Sequence, residues 1–98
     1  MNTTFNDVAA YLTDKGYIIR ETTNRNFVAL LNISHTDTIK IEVYAPYERD
    51  DEISAEVWAL GVDEPGQEYL THAVCLGTLD VVTIEDFDEE LTATLNPR

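Results

Sequence analysis

The strongest candidate for chemistry in this sequence is a cluster of five carboxylates within six residues. The cluster comprises Glu85, Asp86, Asp88, Glu89 and Glu90. Closely spaced carboxylates can bind calcium, and the run of residues 86–90 superficially resembles the start of a calcium-binding loop. Such a loop needs a glycine at its sixth position and a bidentate acid at its twelfth, where this sequence has Leu91 and Pro97. We therefore expect no metal site and interpret the cluster as a charged protein surface.

The charge of the chain is unevenly distributed. Residues 46–98 contain fourteen of the nineteen acidic residues and two of the six basic ones, so this part carries −12 of a total charge of −13. A second acidic group within it comprises Glu48, Asp50, Asp51 and Glu52. Such an anion attracts basic surfaces and repels a phosphate backbone. We therefore expect a basic protein partner and no direct binding of nucleic acid.

Few other side chains are candidates for catalysis. His35 and His72 could exchange protons near neutral pH, but neither has a Cys or a second His at metal-ligand spacing. Ser34 and Ser54 lack the glycine-flanked turn of a nucleophilic serine. Cys75 lies in an apolar run that predicts a buried strand position and a core thiol. The sequence thus predicts no enzyme activity and no cofactor.

Two helices are predicted, one at each end of the chain. Thr4 followed by Asp7 is a capping-box pattern, and the apolar residues that follow recur at helical spacing. This predicts a helix over residues 4–15. A similar pattern begins at Thr83 and predicts a second helix over residues 84–95. The acidic cluster therefore lies in the second helix.

Five strands are predicted between the helices. Residues 39–45 and 53–60 alternate between two faces, one of which is uniformly apolar, and this is typical of strands with one buried face. The remaining predicted strands cover residues 17–21, 27–34 and 69–76. The last of these alternates poorly, which predicts a strand in the middle of the sheet or covered on both faces. Residues 77–80 are expected to end it.

Together these elements predict one α+β domain over residues 1–98. We expect a five-stranded, mainly antiparallel sheet with the N- and C-terminal helices packed on one face, as a two-layer sandwich. An apolar content of 44% is too high for a disordered acidic tail. The apolar residues of the third and fourth strands should contact four helix residues: Phe5, Leu12, Phe87 and Leu91. Strand parity places Tyr44, Trp58 and Leu60 towards the other face, as a candidate hydrophobic interface.

In size, charge and layout the sequence resembles DNA-mimic proteins. These small acidic proteins, often from phages or mobile elements, block restriction enzymes, CRISPR effectors or other nucleic-acid-handling proteins. Carboxylates one helical turn apart, about 5.4 Å, have a spacing comparable to that of successive phosphates. The resemblance implies a stoichiometric inhibitor, similar to an anti-CRISPR protein, whose two acidic groups bind a basic surface of a nucleic-acid-binding protein.

Two other functions fit the same residues. An immunity protein or a secretion chaperone is also small and acidic, and it binds one basic toxin or effector. A homodimeric scaffold would instead use the candidate interface of Tyr44, Trp58 and Leu60. Competition with nucleic acid distinguishes the mimic from both alternatives. The first residues resemble no secretory signal, and no apolar run approaches the roughly 20 residues of a membrane span, so we expect a cytoplasmic protein.

Overall fold

A computed structural model of the chain describes residues 4–20, 22–23, 25–34, 37–45, 53–61 and 72–95. Its elements, in chain order, are α1 (Phe5–Asp14), β1 (Ile18–Arg20), β2 (Asn26–Asn32), β3 (Asp37–Tyr44), β4 (Ile53–Gly61), β5 (His72–Val81) and α2 (Ile84–Leu95). The predicted α+β arrangement of five strands between two helices is confirmed. Both helices and the first four strands lie within two residues of their predicted bounds. No helix in the described ranges is both long and apolar enough to cross a membrane.

Helix α1 is fixed at both ends by local interactions. The Thr4 hydroxyl accepts a hydrogen bond from the Asp7 N–H at 3.2 Å, and the Asp7 carboxylate accepts one from the Thr4 N–H at 2.9 Å. The bond from the Thr4 backbone, reinforced by the Thr4 side chain, lowers the pKa of Asp7. Just beyond the helix, Gly16 has a φ of 95°, a left-handed conformation that glycine adopts without steric strain. The predicted capping box is confirmed.

The five strands form one antiparallel sheet in which each strand pairs with the next along the chain, in the order β1-β2-β3-β4-β5. At its centre, Ile41 of β3 lies opposite Ala29 of β2 and Val57 of β4. Residues paired across strands share one face of a sheet, and these three are fully buried. The alternating residues of β3 and β4 are therefore in register, with the Ile, Val and Ala residues of both strands on a single face.

Both helices pack on this buried face. Phe27 of β2, Phe87 of α2 and Leu12 of α1 are the largest fully buried side chains. Phe5 packs edge-on against Phe27, with ring centroids 4.9 Å apart. The predicted contact between strand and helix residues is confirmed, because one apolar cluster contains residues from both helices and from β2 to β5. Ala45 lies beyond the end of β3 and is only half-buried. The opposite face of the sheet carries neither of the described helices.

The position of β5 differs from the prediction. Residues 77–80 belong to the strand and do not end it, while the predicted start, residues 69–71, lies outside the described residues. The strand forms an edge of the sheet and not its middle. Residues 73–76 are exposed instead of covered on both faces. An apolar run at a sheet edge and one at a sheet centre have the same local composition, so the sequence pattern did not separate them.

A bulge explains the irregular pattern of β5. Trp58 of β4 pairs with Cys75, and its neighbour Val57 pairs with Gly77, so Leu76 has no partner across the β4–β5 ladder. The extra residue shifts the alternation by one position and obscures the period of two. Cys75 is exposed, and the prediction of a core thiol is therefore wrong.

The two faces of the sheet should respond differently to truncation. Phe87→Ala should lower the free energy of unfolding by about 3–5 kcal/mol, because it leaves a cavity in the core. Trp58→Ala should lower the free energy of unfolding by clearly less, because Trp58 lies half-buried on the other face. Urea unfolding followed by circular dichroism measures both values. Equal losses in the two variants would contradict the assignment of Trp58 to a face without helices.

Candidate functional site

The acidic cluster lies on α2, and the apolar residues of that helix set its orientation. At the start of α2, the Thr83 hydroxyl accepts a hydrogen bond from the Asp86 N–H at 3.1 Å, which supports the predicted cap. Phe87 and Leu91 are buried against the sheet, so the opposite side of the helix faces solvent. Four acids are exposed there: Glu85, Asp86, Glu89 and Glu90. We call these four residues the α2 acidic surface.

Asp88, the fifth acid of the cluster, lies between the two helices. Its carboxylate accepts a hydrogen bond from the Tyr11 hydroxyl of α1 and lies 3.8 Å from the Lys15 ammonium. Burial, followed by the hydrogen bond to Asp88 and its negative charge, raises the pKa of Tyr11 well above its usual value. The Lys15 ammonium lies 5.7 Å from the centroid of the Tyr11 ring. Asp88 therefore joins α1 to α2 and is not part of the α2 acidic surface.

No basic side chain among the described residues pairs with the α2 acidic surface. Lys15 pairs with Asp88, and Lys40 pairs with Glu42 at 2.5 Å. The helix macrodipole favours negative charge in the first turn, where Glu85 and Asp86 lie. Glu89 and Glu90 lie beyond that turn, and neither that dipole effect nor a described cation stabilises their charges. The negative charge of these four acids is therefore not neutralised by any described side chain.

Part of the predicted site lies outside the described residues. This applies to the second acidic group, Glu48, Asp50, Asp51 and Glu52, and to His35. Of the nine acids predicted to bind a partner, the structure places five. It brings four of them together on one exposed helix surface and places Asp88 at the contact between the helices.

The sheet face opposite the two described helices carries a pair of acids whose repulsion is partly compensated. Glu42 of β3 lies directly opposite Glu56 of β4, where like charges repel. The Lys40 ammonium and the Tyr44 hydroxyl both donate hydrogen bonds to Glu42. These bonds, that of Lys40 above all, lower the pKa of Glu42, and the bond to Glu42 raises the pKa of Tyr44. The acids of this face are therefore partly neutralised from within the fold, unlike those of α2.

The predicted hydrophobic interface is interrupted by this pair. Tyr44, Trp58 and Leu60 are all half-buried and belong to the same face. Trp58 and Leu60 are neighbours on that face of β4, whereas the Glu42–Glu56 pair separates Tyr44 from them. The indole Nε1 of Trp58 is buried and has no hydrogen-bond partner among the described residues. The structure thus brings two of the three residues together and not the third.

The other side chains considered for catalysis are dispersed over the described residues. The Ser34 hydroxyl hydrogen-bonds to the N–H and the carboxylate of Asp37, both at 3.1 Å, within a turn. His72 begins β5 opposite Gly61, and Cys75 is exposed on the same strand. The described part of the chain contains no group of three or more side chains that could hold a metal ion. Its surface can provide electrostatic attraction and hydrogen bonds.

Sequence analysis missed a cavity of about 200 Å³ between the two helices and the sheet. It is lined by Tyr11, Lys15, Tyr17, Leu31, Asp88, Leu91, Thr92 and Leu95. The Tyr17 hydroxyl is buried without a hydrogen-bond partner among the described residues, and burial raises its pKa. The cavity is smaller than the roughly 300–1,000 Å³ of ordinary ligand pockets, and we assign it no ligand. No local pattern could have found it, because Tyr11 and Asp88 are 77 residues apart.

Comparison with protein families, with curated proteins and with solved structures finds no match for this chain.

The Tyr11–Asp88 hydrogen bond should contribute to the packing of the two helices. Tyr11→Phe keeps the ring and removes the donor, so it should lower the free energy of unfolding by about 1 kcal/mol, the usual value for a half-exposed bond. Urea unfolding of Tyr11→Phe, Asp88→Asn and the double variant measures the coupling between them. Strictly additive losses would contradict the role of Asp88 as the link between α1 and α2.

Proposed function

We propose that the protein is a stoichiometric inhibitor that binds a basic surface of a nucleic-acid-binding protein through the α2 acidic surface. The proposal rests on one observation, namely four exposed carboxylates on one helix without a basic partner among the described residues. Charge that no internal cation neutralises acts on approaching molecules and accelerates the encounter with a partner of opposite sign. Because α2 is anchored through Phe87 and Leu91, the carboxylates keep their spacing during that encounter.

The spacing of the acids supports competition with nucleic acid. Residues three and four apart on a helix lie about 5–6 Å apart at their Cβ atoms, as Asp86 does from Glu89 and Glu90. Duplex DNA carries one negative charge per about 1.7 Å of its axis, counting both strands, and the proteins that hold it supply matching Lys and Arg residues. A groove whose Lys and Arg residues bind phosphates can therefore also bind carboxylates that are spaced along a helix. In this proposal Glu48, Asp50, Asp51 and Glu52 add to the negative charge that the partner binds.

In this proposal the protein binds its target, catalyses no reaction and needs no cofactor. The target would be a cytoplasmic protein that handles nucleic acid, such as a restriction enzyme or a CRISPR effector, and the inhibitor would act in phage anti-defence. Such a target exposes the Lys and Arg residues that the α2 acidic surface would engage.

Competition is the most direct test of this function. The protein would be immobilised and exposed to a lysate of the host cell at low salt, and bound proteins would be released with duplex DNA or with polyglutamate at equal charge concentration. We expect DNA to release a nucleic-acid-binding protein more effectively than polyglutamate does. A bound protein that resists DNA would favour an immunity protein or a secretion chaperone. Capture that is lost in Trp58→Ala and unchanged after charge reversal would favour the dimeric scaffold.

Charge reversal should identify the acids that contact the partner. Changing Asp86, Glu89 and Glu90 together to Lys, or Asp50, Asp51 and Glu52 together to Lys, should weaken binding in at least one set while circular dichroism stays unchanged. For a matched control, Glu90→Lys is compared with Asp14→Lys, which reverses one exposed acid outside α2 and β5. The α2 variant should weaken binding about tenfold more than the control, because contact adds to the effect of net charge. Unchanged binding in both triple variants at low salt would overturn the proposal.

A further inference from the structure

The sheet has two very different edges. The edge formed by β1 is three residues long, whereas the edge formed by β5 is ten residues long. No described strand pairs with the outer side of β5. An edge strand presents backbone N–H and C=O groups that can pair with another strand. The β5 edge is therefore the longer template for an added strand.

Helix α2 shields only the second half of β5. Its 12 residues span about 18 Å, whereas the ten residues of β5 span about 33 Å. The γ-methyl group of Thr94, near the end of α2, lies 3.8 Å from the Cβ position of a residue placed at Gly77. The first half of the strand, residues 73–76, is exposed, with Val74 at 54% and Leu76 at 39% of full exposure.

Among the described residues, the exposed half of β5 has only one of the features that usually prevent edge pairing, the bulge at Leu76. Natural edges are protected by Lys or Pro residues, by bulges, by short length or by a covering loop or helix. Residues 73–79 contain neither Lys nor Pro and carry no charge. The bulge at Leu76 and the carboxylate of Asp80 are the features that limit pairing further along the strand.

The acids of α2 indicate which kind of strand fits this edge. Asp86, Glu90 and Thr94 are successive residues four apart and form one side of the helix, and Thr94 lies over β5. Asp88 and Thr92 line the cavity towards α1 and so mark the opposite side. Asp86 and Glu90 therefore lie on the side of α2 nearer the open edge. A second copy would bring another net charge of −13 to this edge, which disfavours self-pairing.

We propose that the edge of β5 at residues 73–76 pairs with an extended segment of the partner, in which basic and apolar side chains alternate. The inference rests on the proposed function and adds the mode of recognition. Main-chain hydrogen bonds to β5 supply affinity, and alternate side chains supply specificity. Glu90 and Asp86 lie one and two helical turns before Thr94, beside the second half of β5. Basic side chains of the same segment contact them where the segment continues past its paired part. Apolar side chains on the sheet face away from the helices extend the row formed by Trp58 and Cys75.

Two model peptides separate strand pairing from simple charge attraction. The first alternates valine and lysine over ten residues, the length of β5. The second has the same number of lysines but carries proline in place of two central valines, so it cannot form a continuous ladder. Binding to the ¹⁵N-labelled protein is followed at low salt by NMR, together with hydrogen exchange of the β5 amides.

We expect both peptides to shift the resonances of α2. Only the first peptide should slow amide exchange within residues 73–76, by about tenfold or more. Val74→Lys should abolish this protection, whereas Ile33→Lys, which places the same charge at an exposed residue just after β2, should not.

Binding of both peptides without protection of β5 would overturn the edge pairing and leave the proposed function intact. Failure of both peptides to bind would overturn the proposed function. If the β5 amides are protected in the absence of peptide, and this protection grows with protein concentration, a second copy of the protein occupies the edge. This result would overturn the proposal that a partner segment pairs there.

Discussion

The fold depends on a single apolar layer between one face of the sheet and two helices. Phe27 from the sheet, Leu12 from α1 and Phe87 from α2 fill this layer. Because both helices lie on the same side, the other face of the sheet and the far ends of its strands lie outside the layer. The length of α2 determines how far the layer extends along β5, and residues 73–76 remain outside it. Because the helices cover only one face of the sheet, the other face is half-buried and the edge at residues 73–76 of β5 is exposed.

The same layer determines where the charge of the chain can lie. No acidic residue among the described residues is buried, so their carboxylates are all at least partly exposed. The described basic residues compensate some of these acids. Lys40 neutralises Glu42 on the sheet, and Lys15 accompanies Asp88 between the helices. The four acids of the α2 acidic surface receive no such compensation within the described residues. That difference, and not net charge alone, supports a binding role for α2.

Local patterns predicted most of the fold, because periodicity reports burial directly. The alternation in β3 and β4, the capping residues Thr4 and Thr83, and the helical spacing of α2 all specify structure within a few neighbouring residues. The errors concern β5, where a bulge at Leu76 disrupts the alternation and edge position depends on the order of strands. The acidic cluster could be identified from the amino-acid sequence, because its five acids lie within six residues. Its division into four exposed acids and one acid bound to Tyr11 could not be, because that bond joins residues 77 positions apart.

The central claim is that the α2 acidic surface is uncompensated and therefore available to a partner. Thermal unfolding at increasing sodium chloride, from low to moderate concentration, tests it most directly, because salt at 0.1 M screens exposed charges beyond about 10 Å. The account predicts a midpoint that rises with salt, and a smaller rise in a variant with Gln or Asn at Glu85, Asp86, Glu89 and Glu90. A midpoint that falls steadily with salt would show net-favourable ion pairs. The acids would then stabilise the fold itself, and the claim would be contradicted.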